Sequence, residues 1–147
     1  IKVDNQCRTN VKDIYAIGDC TNHWNTLYNR YIRLESVQNA IDQAKVVASN
    51  LTNIKTSYNA VPWFWSDQFD LKLQIAGISE GYEKTIIRIK EKQKSFSCLY
   101  LKDDVLIAID SINDPKDFIQ SKKLIMNKVK LDLEKSKDVN AELKDMS

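Results

Sequence analysis

The run Ile14-Tyr15-Ala16-Ile17-Gly18-Asp19-Cys20 constrains the fold more than any other stretch of the chain. A short, nearly unbroken apolar run bounded by turn signals reads as a fully buried strand, of the kind found in parallel sheets covered by helices. The expectation is therefore a buried strand over residues 14–18. Gly18 permits a close backbone approach, or a backbone angle that other residues resist. Asp19 then stands at the carboxyl end of the strand, where open α/β sheets bind ligands. An ionised carboxylate only accepts hydrogen bonds and can hold two hydroxyls. Taken alone, the heptapeptide reads first as a buried strand closed by an ordinary Asp turn, and a ligand-binding role for Asp19 needs support from elsewhere in the chain.

At 147 residues there is room for one domain or for parts of two. The balance of 22 basic to 20 acidic residues leaves a formal charge of +2, which is no nucleic-acid footprint. No apolar stretch approaches the roughly 20 residues of a membrane helix, so no membrane association is expected. The opening Ile1-Lys2-Val3-Asp4 is neither an initiator Met nor a signal peptide, and the chain reads as a fragment or a processed product. Cys7, Cys20 and Cys98 are odd in number and form no CxxC, which argues against a disulfide framework or a zinc site and for a reducing, cytoplasmic compartment. The lone His23 cannot build a multi-histidine metal site. With only Gly18, Gly77 and Gly81, neither GxGxxG nor GxxxxGK[ST] can be assembled. Any nucleotide chemistry here lacks its phosphate grip.

Residues 1–13 suit a short edge strand and a loop, and residues 20–26 are rich in turn formers. Arg30, Arg33 and Glu35 read as a solvated loop or helix entrance. A helix is expected to start at Ser36, a good N-cap. Val37, Ala40, Ile41, Ala44, Val47, Ala48 and Leu51 recur at helical spacing and predict one apolar face. The first free amides, near Val37, carry the positive end of the helix dipole, where a carbonyl or an anion can rest. An ordinary amphipathic helix covering a sheet has the same pattern. Residues 52–61 are polar and mark the expected domain boundary.

Val61-Pro62-Trp63-Phe64-Trp65-Ser66-Asp67-Gln68 follows. In an extended segment Trp63 and Trp65 share one face and Phe64 takes the other. An indole can stack on a flat heterocycle, or simply pack in a core. Leu71–Ala76, Thr85–Lys90, Phe96–Leu101 and Val105–Ile112 alternate as strands, the second and third around a charged connection, with a tight turn at Lys102-Asp103-Asp104. Asp114 as N-cap and Pro115 in the first turn predict a helix over about 116–128, with Phe118, Ser121, Leu124 and Ile125 inward. The charged tail from Leu131 is expected to end in a short or frayed helix with its lysines in solvent.

Three blocks, Arg8-Thr9 through Gly18-Asp19, Arg33-Leu34-Glu35-Ser36-Val37-Gln38-Asn39-Ala40, and Val61 through Gln68, together resemble the C-terminal part of the FAD-dependent NAD(P)H:ferredoxin reductases that serve oxygenases. Gln74-Ile75-Ala76-Gly77, Gly81-Tyr82 and Phe118 with Lys122-Lys123-Leu124-Ile125 continue the likeness, which weakens in the tail. The resemblance implies an α/β fragment, the end of a Rossmann-like FAD domain, over residues 1–52. It implies an α+β C-terminal reductase domain with a mainly antiparallel sheet over 60–147. It implies that Asp19 bonds the ribityl chain of FAD. It implies that the Val37 amide meets the pyrimidine side of the isoalloxazine, with Ser36 capping the helix beside it. Trp65 matches the aromatic at the flavin's edge, with Trp63 as the alternative. Hydride would come from NAD(P)H, bound by a domain upstream of these residues, and single electrons would pass to a ferredoxin or rubredoxin. No protein side chain is implied as catalytic, because the flavin itself accepts the hydride. A non-catalytic dimerisation or interaction module of a related flavoprotein, of the apoptosis-inducing-factor-like or nitrite-reductase-coupled kind, is the alternative; a homodimer is possible on either reading.

Overall fold

Ser36 ends an extended segment and starts the one long helix of the N-terminal half. Its backbone is extended (φ −142°, ψ 146°), and its hydroxyl accepts the Asn39 amide at 3.2 Å, so helix α1 runs Val37–Leu51. The computed structural model describes residues 1–91 and 94–146. It falls into two compact units, Ile1–Pro62 and Trp63–Ser147. Lys92 and Gln93, in the charged connection expected between two strands, lie outside the described residues. Among those described, no helix is long and apolar enough to cross a membrane.

The first unit holds a three-stranded sheet of β1 (Lys2–Val3), β2 (Asn22–Asn25) and β3 (Arg30–Ile32), in that order. β1 lies parallel to β2 and β2 antiparallel to β3. The turn-rich stretch after Asp19 therefore forms a strand, not a loop. The turn signal belongs one step later. Asn25 Oδ1 accepts the amides of Leu27 and Tyr28, and Asn29 takes a left-handed φ of 52°, which closes the hairpin.

The expected buried strand over 14–18 does not form. Tyr15 makes a single bridge to Arg8, Ile14 and Ile17 are exposed, and Gly18–Cys20 is a turn of 3₁₀ helix. A buried strand needs neighbours on both edges, and the backbone pairing of this run is with residues 7–9, through the Arg8–Tyr15 bridge and the bonds Thr9 N–H to Ile14 O and Ala16 N–H to Cys7 O. Asp19 accordingly sits in a turn and not at the end of a strand.

Helix α1 buries only part of the face its periodicity predicts: Ala40 lies against Gly18 and Val47 packs on the small core, but the large residues at the ends of that face are exposed. Val37 and Leu51 are 57% and 63% exposed, and Ile41 is exposed with them. The buried residues are Asn39, Gln43 and Val46. The layer beneath the helix is irregular backbone, and amide side chains satisfy it where apolar ones cannot. Asn39 donates to Leu34 O and accepts the Tyr58 hydroxyl at 2.9 Å. Asn50 donates to Thr56 O at 2.7 Å and accepts the Thr56 amide. The polar stretch 52–61 is thereby tied to the helix, and Tyr58 joins Cys7 and Val46 in a small core. Burial raises the Cys7 thiol to about 11, which leaves it inert at neutral pH.

The second unit is an antiparallel sheet with helices on one face. Strands β4 (Trp63–Gln68), β5 (Leu71–Gly77), β6 (Lys84–Lys90), β7 (Ser95–Lys102) and β8 (Val105–Ile112) stand in the order β4-β5-β8-β7-β6. Asp103 and Asp104, both at positive φ, make the two-residue turn between β7 and β8. Helix α2 (Pro115–Met126) is capped by Asp114, which accepts the Asp117 amide, and packs across β5 and β8. Phe118, Ser121, Leu124 and Ile125 are buried, as their spacing predicts, and Asp117 with them.

Asp117 is buried because Arg88 is. Arg88, wholly buried on β6, donates Nε to Asp117 at 3.0 Å and its terminal nitrogens to the carbonyls of Ser136, Asp138 and Ala141 at 2.8–2.9 Å. Lys90 pairs with both Asp114 and Asp117. The charged tail is therefore held in place: helix α3 (Leu133–Lys137) lies on β6, and Leu143 and Met146 are fully buried. Removing one partner of a buried ion pair leaves the other uncompensated. Arg88→Met is expected to lower the unfolding free energy of the second unit by about 3–5 kcal/mol and to open the tail to proteolysis; urea unfolding and limited digestion check both. A variant that unfolds at the parent's midpoint with an intact tail would show that Arg88 anchors nothing.

Candidate functional site

Three of the four residues singled out from the sequence, Asp19, Ser36 and Val37, lie in the first unit. Gly18, at φ +77°, lets the chain turn sharply. A Cβ built on it would stand 3.4 Å from the Ala40 side chain, so the turn rests directly on the first turns of α1. Asp19 is the middle residue of that turn. Its carboxylate is exposed, and among the described residues it bonds to nothing. The turn thus presents a free acceptor-only group beside the amino end of the helix.

At that end the amide accounting is simple. Ser36 Oγ takes the Asn39 amide and Ser36 O takes the Ala40 amide. The amides of Val37 and Gln38 have no partner within the helix, and fifteen residues of aligned dipoles stand behind them. Ser36 is a cap, with its hydroxyl committed to the helix. Val37 offers a donor at a positive dipole end.

The donor set fits one end of a flavin nucleotide. A carboxylate suits hydroxyls of a polyol chain. An unpaired amide at a helix start suits a ring carbonyl that gains negative charge on reduction. Nothing in the chain resembles a phosphate loop. Among the described residues no cluster of three or more His, Cys, Asp and Glu is placed to hold a metal.

Trp65 belongs to the second unit. It stands on β4 on the same face as Trp63, with ring centroids 5.3 Å apart. The two indoles differ in what surrounds them. Trp63 packs on Phe118 at 5.7 Å and carries the Lys122 ammonium 4.7 Å above its ring. Trp65 is 46% exposed and therefore available to a ligand or partner.

Sequence reading missed Gln43. Its side chain is completely buried on α1, and Oε1 accepts the Gly18 amide at 2.7 Å with the Thr21 hydroxyl at 3.0 Å. Nε2 faces His23 Nδ1 at 3.3 Å. Burial lowers the His23 imidazole below its ordinary value and keeps it neutral at pH 7. The signal was present in the sequence: Asn39, Gln43 and Asn50 recur at i, i+4 and i+11, a stripe of amides beside the apolar one.

Comparison with known proteins places both units. Residues 63–147 match the family described as reductase C-terminal, and residues 1–44 match the pyridine nucleotide-disulphide oxidoreductases. The ferredoxin reductase subunit of a 5,5'-dehydrodivanillate O-demethylase from Sphingobium is 37% identical over the whole chain, which covers 36% of that protein. Putidaredoxin reductase of Pseudomonas putida is 37% identical over 99% of the chain and 35% of its own length. The crystal structure of the ferredoxin reductase for the CYP199A2 system of Rhodopseudomonas palustris superposes with a TM-score of 0.89 at 40% identity, covering 98% of this chain and 36% of that one. The chain thus spans about a third of the length of the relatives it matches. It belongs to the reductase C-terminal family, joined over its first residues to the pyridine nucleotide-disulphide oxidoreductases, and corresponds to the C-terminal part of the ferredoxin reductases.

Proposed function

We propose that this chain supplies part of the FAD site of a reductase that carries electrons from NAD(P)H through FAD to a ferredoxin or rubredoxin. The observation that supports the reading is that the turn bearing the exposed Asp19 carboxylate packs, through Gly18 against Ala40, on the first turn of α1, the helix whose Val37 amide is unpaired. Asp19 would hold ribityl hydroxyls, the Val37 amide would face the pyrimidine carbonyl of the ring, and Ser36 would keep that amide in place by capping the helix. When bound, FAD supplies the two-electron to one-electron conversion that such a transfer needs. Residues 1–52 are assigned to the FAD-binding portion and 60–147 to the interface domain. NAD(P)H falls to a part of the protein outside this chain, since the chain's three glycines cannot form a dinucleotide fingerprint. Three free cysteines suit a reducing, cytoplasmic setting.

A second reading is favoured by one observation. Ile87 and Ile89 on β6 and Phe96 on β7 are exposed on the sheet face away from α2, and Ile89 and Phe96 are direct cross-strand partners. On that reading the second unit serves as an interface, with a second copy or with another protein. Sedimentation of the full-length polypeptide with and without FAD separates the two: self-association independent of flavin supports the interface.

In the full-length polypeptide, Asp19→Ala is expected to weaken FAD binding by about 10- to 100-fold, the loss of charge-assisted hydrogen bonds. Flavin content after dialysis measures it, and parent-level content would refute the assignment. The tryptophans should separate by kind of effect. Trp63→Ala, which strips the packing on Phe118, is expected to destabilise the fold by about 3 kcal/mol. Trp65→Ala is expected to cost under about 1 kcal/mol while altering the flavin absorbance bands and slowing NADH-dependent ferredoxin reduction. The opposite pattern would assign the flavin contact to Trp63.

A further inference from the structure

A glutamine that is completely buried on a helix requires a reason. Leucine has similar volume and would enter the interior without any polar group to satisfy. The reason for Gln43 lies in the turn that carries Asp19. The Gly18 amide can only donate, so the side-chain end facing it at 2.7 Å is the carbonyl oxygen. The Thr21 hydroxyl sits 3.0 Å from the same oxygen and 2.8 Å from Gly18 O, with its single proton shared between the two. One atom of α1 therefore holds both ends of the Gly18–Thr21 turn. The other end of the amide is then an NH₂, which makes His23 Nδ1 the acceptor and puts the ring proton on Nε2.

Asp19 lies between the two clamped residues. Its backbone has no bond of its own to α1, so its carboxylate stands where the clamp puts it. The helix that bears the clamp also bears Ser36 and Val37 at its start. We propose that Gln43 is the positioning residue of this half-site, setting the Asp19 carboxylate relative to the Val37 amide from a place where it touches neither group nor the cofactor. The inference rests on the flavin reading given above. It adds a residue to that site, together with a reason for the buried polar chain Gly18–Gln43–His23.

The test uses the full-length polypeptide. Gln43→Leu keeps the volume and removes the acceptor. It is expected to weaken FAD binding by about 10-fold, the effect of orphaning one buried amide, to shift the flavin absorbance bands, and to speed hydrogen exchange at the Gly18 and Thr21 amides in the apoprotein. Gln43→Glu keeps an acceptor toward Gly18 but sets a carboxylate oxygen against His23 Nδ1, which must take up a proton to pair with it, and FAD binding is expected to fall between the parent and Gln43→Leu. If Gln43→Leu does not accumulate as folded protein, Thr21→Val removes one clamped donor at nearly constant volume, with about threefold weaker binding expected. Gln43→Leu with parent affinity and an unshifted flavin spectrum overturns the proposal, as does Thr21→Val with parent affinity. Asp19→Ala run alongside tells the two failures apart. If it too retains FAD, the flavin reading is wrong and this inference goes with it. If it loses FAD while Gln43→Leu does not, the reading stands and the positioning role alone is excluded.

Discussion

The first unit depends on the satisfaction of buried irregular backbone by side chains of a single helix. Its sheet is small, three strands of four residues or fewer, and cannot pair the loops that surround it. Those loops carry the Leu34 carbonyl, the Gly18 amide, and both the amide and carbonyl of Thr56. Each finds its partner on α1, in Asn39, Gln43 and Asn50 respectively. A carboxamide offers donor and acceptor together, so one residue can close a loop from both sides, as Asn50 does on Thr56. A buried polar group left unpaired costs more than a hydrogen bond gains, so this stripe fixes the face that α1 turns inward. It thereby fixes which residues stand at the helix start and which turn lies against them.

The second unit solves the same problem with charge. Its sheet is regular and pairs its own backbone; the awkward segment is the tail, whose carbonyls at Ser136, Asp138 and Ala141 face inward. Five donors on one guanidinium are enough to serve three carbonyls and a carboxylate together. The pair with Asp117 then makes an internal cation tolerable, with Lys90 and Asp114 extending the network toward solvent. A Met would fill the volume but take the guanidinium's bonds from those carbonyls and leave Asp117 with Lys90 as its remaining cation.

Residues whose local chemistry decides their structure were readable from sequence. Ser36 and Asp114 start helices wherever the chain folds, because a cap is satisfied within three residues. The alternation of β4 through β8 and the inward set on α2 follow from period alone. Legibility failed where the partner is distant. The run at 14–17 has the composition of a buried strand, yet its backbone pairs with the short stretch 7–9 and forms no ladder beyond the one bridge to Arg8 among the described residues. The apolar stripe of Val37, Ile41 and Leu51 is a true periodicity, but it does not name the face that α1 buries in this unit. Arg88 reads as an ordinary surface charge on an alternating strand, and only its register opposite Ser97, facing α2 and the tail, buries it.

The candidate site shows the same division. Ser36 and Val37 were legible as a cap and a helix start, which are local patterns, whereas the role proposed for Asp19 came only with the resemblance. Gln43 was not legible, since its meaning depends on a turn more than twenty residues earlier. Of these four, only Gln43 joins the turn to the helix. An acid in a turn and an amide at a helix start are each common features, and neither alone makes a binding site. They become one site when their separation is held, and the bond from Gln43 to Gly18 is the shortest link between them. On that proposal the residue that constrains the half-site, Gln43, is neutral and completely buried. A search confined to exposed charged residues would pass over it.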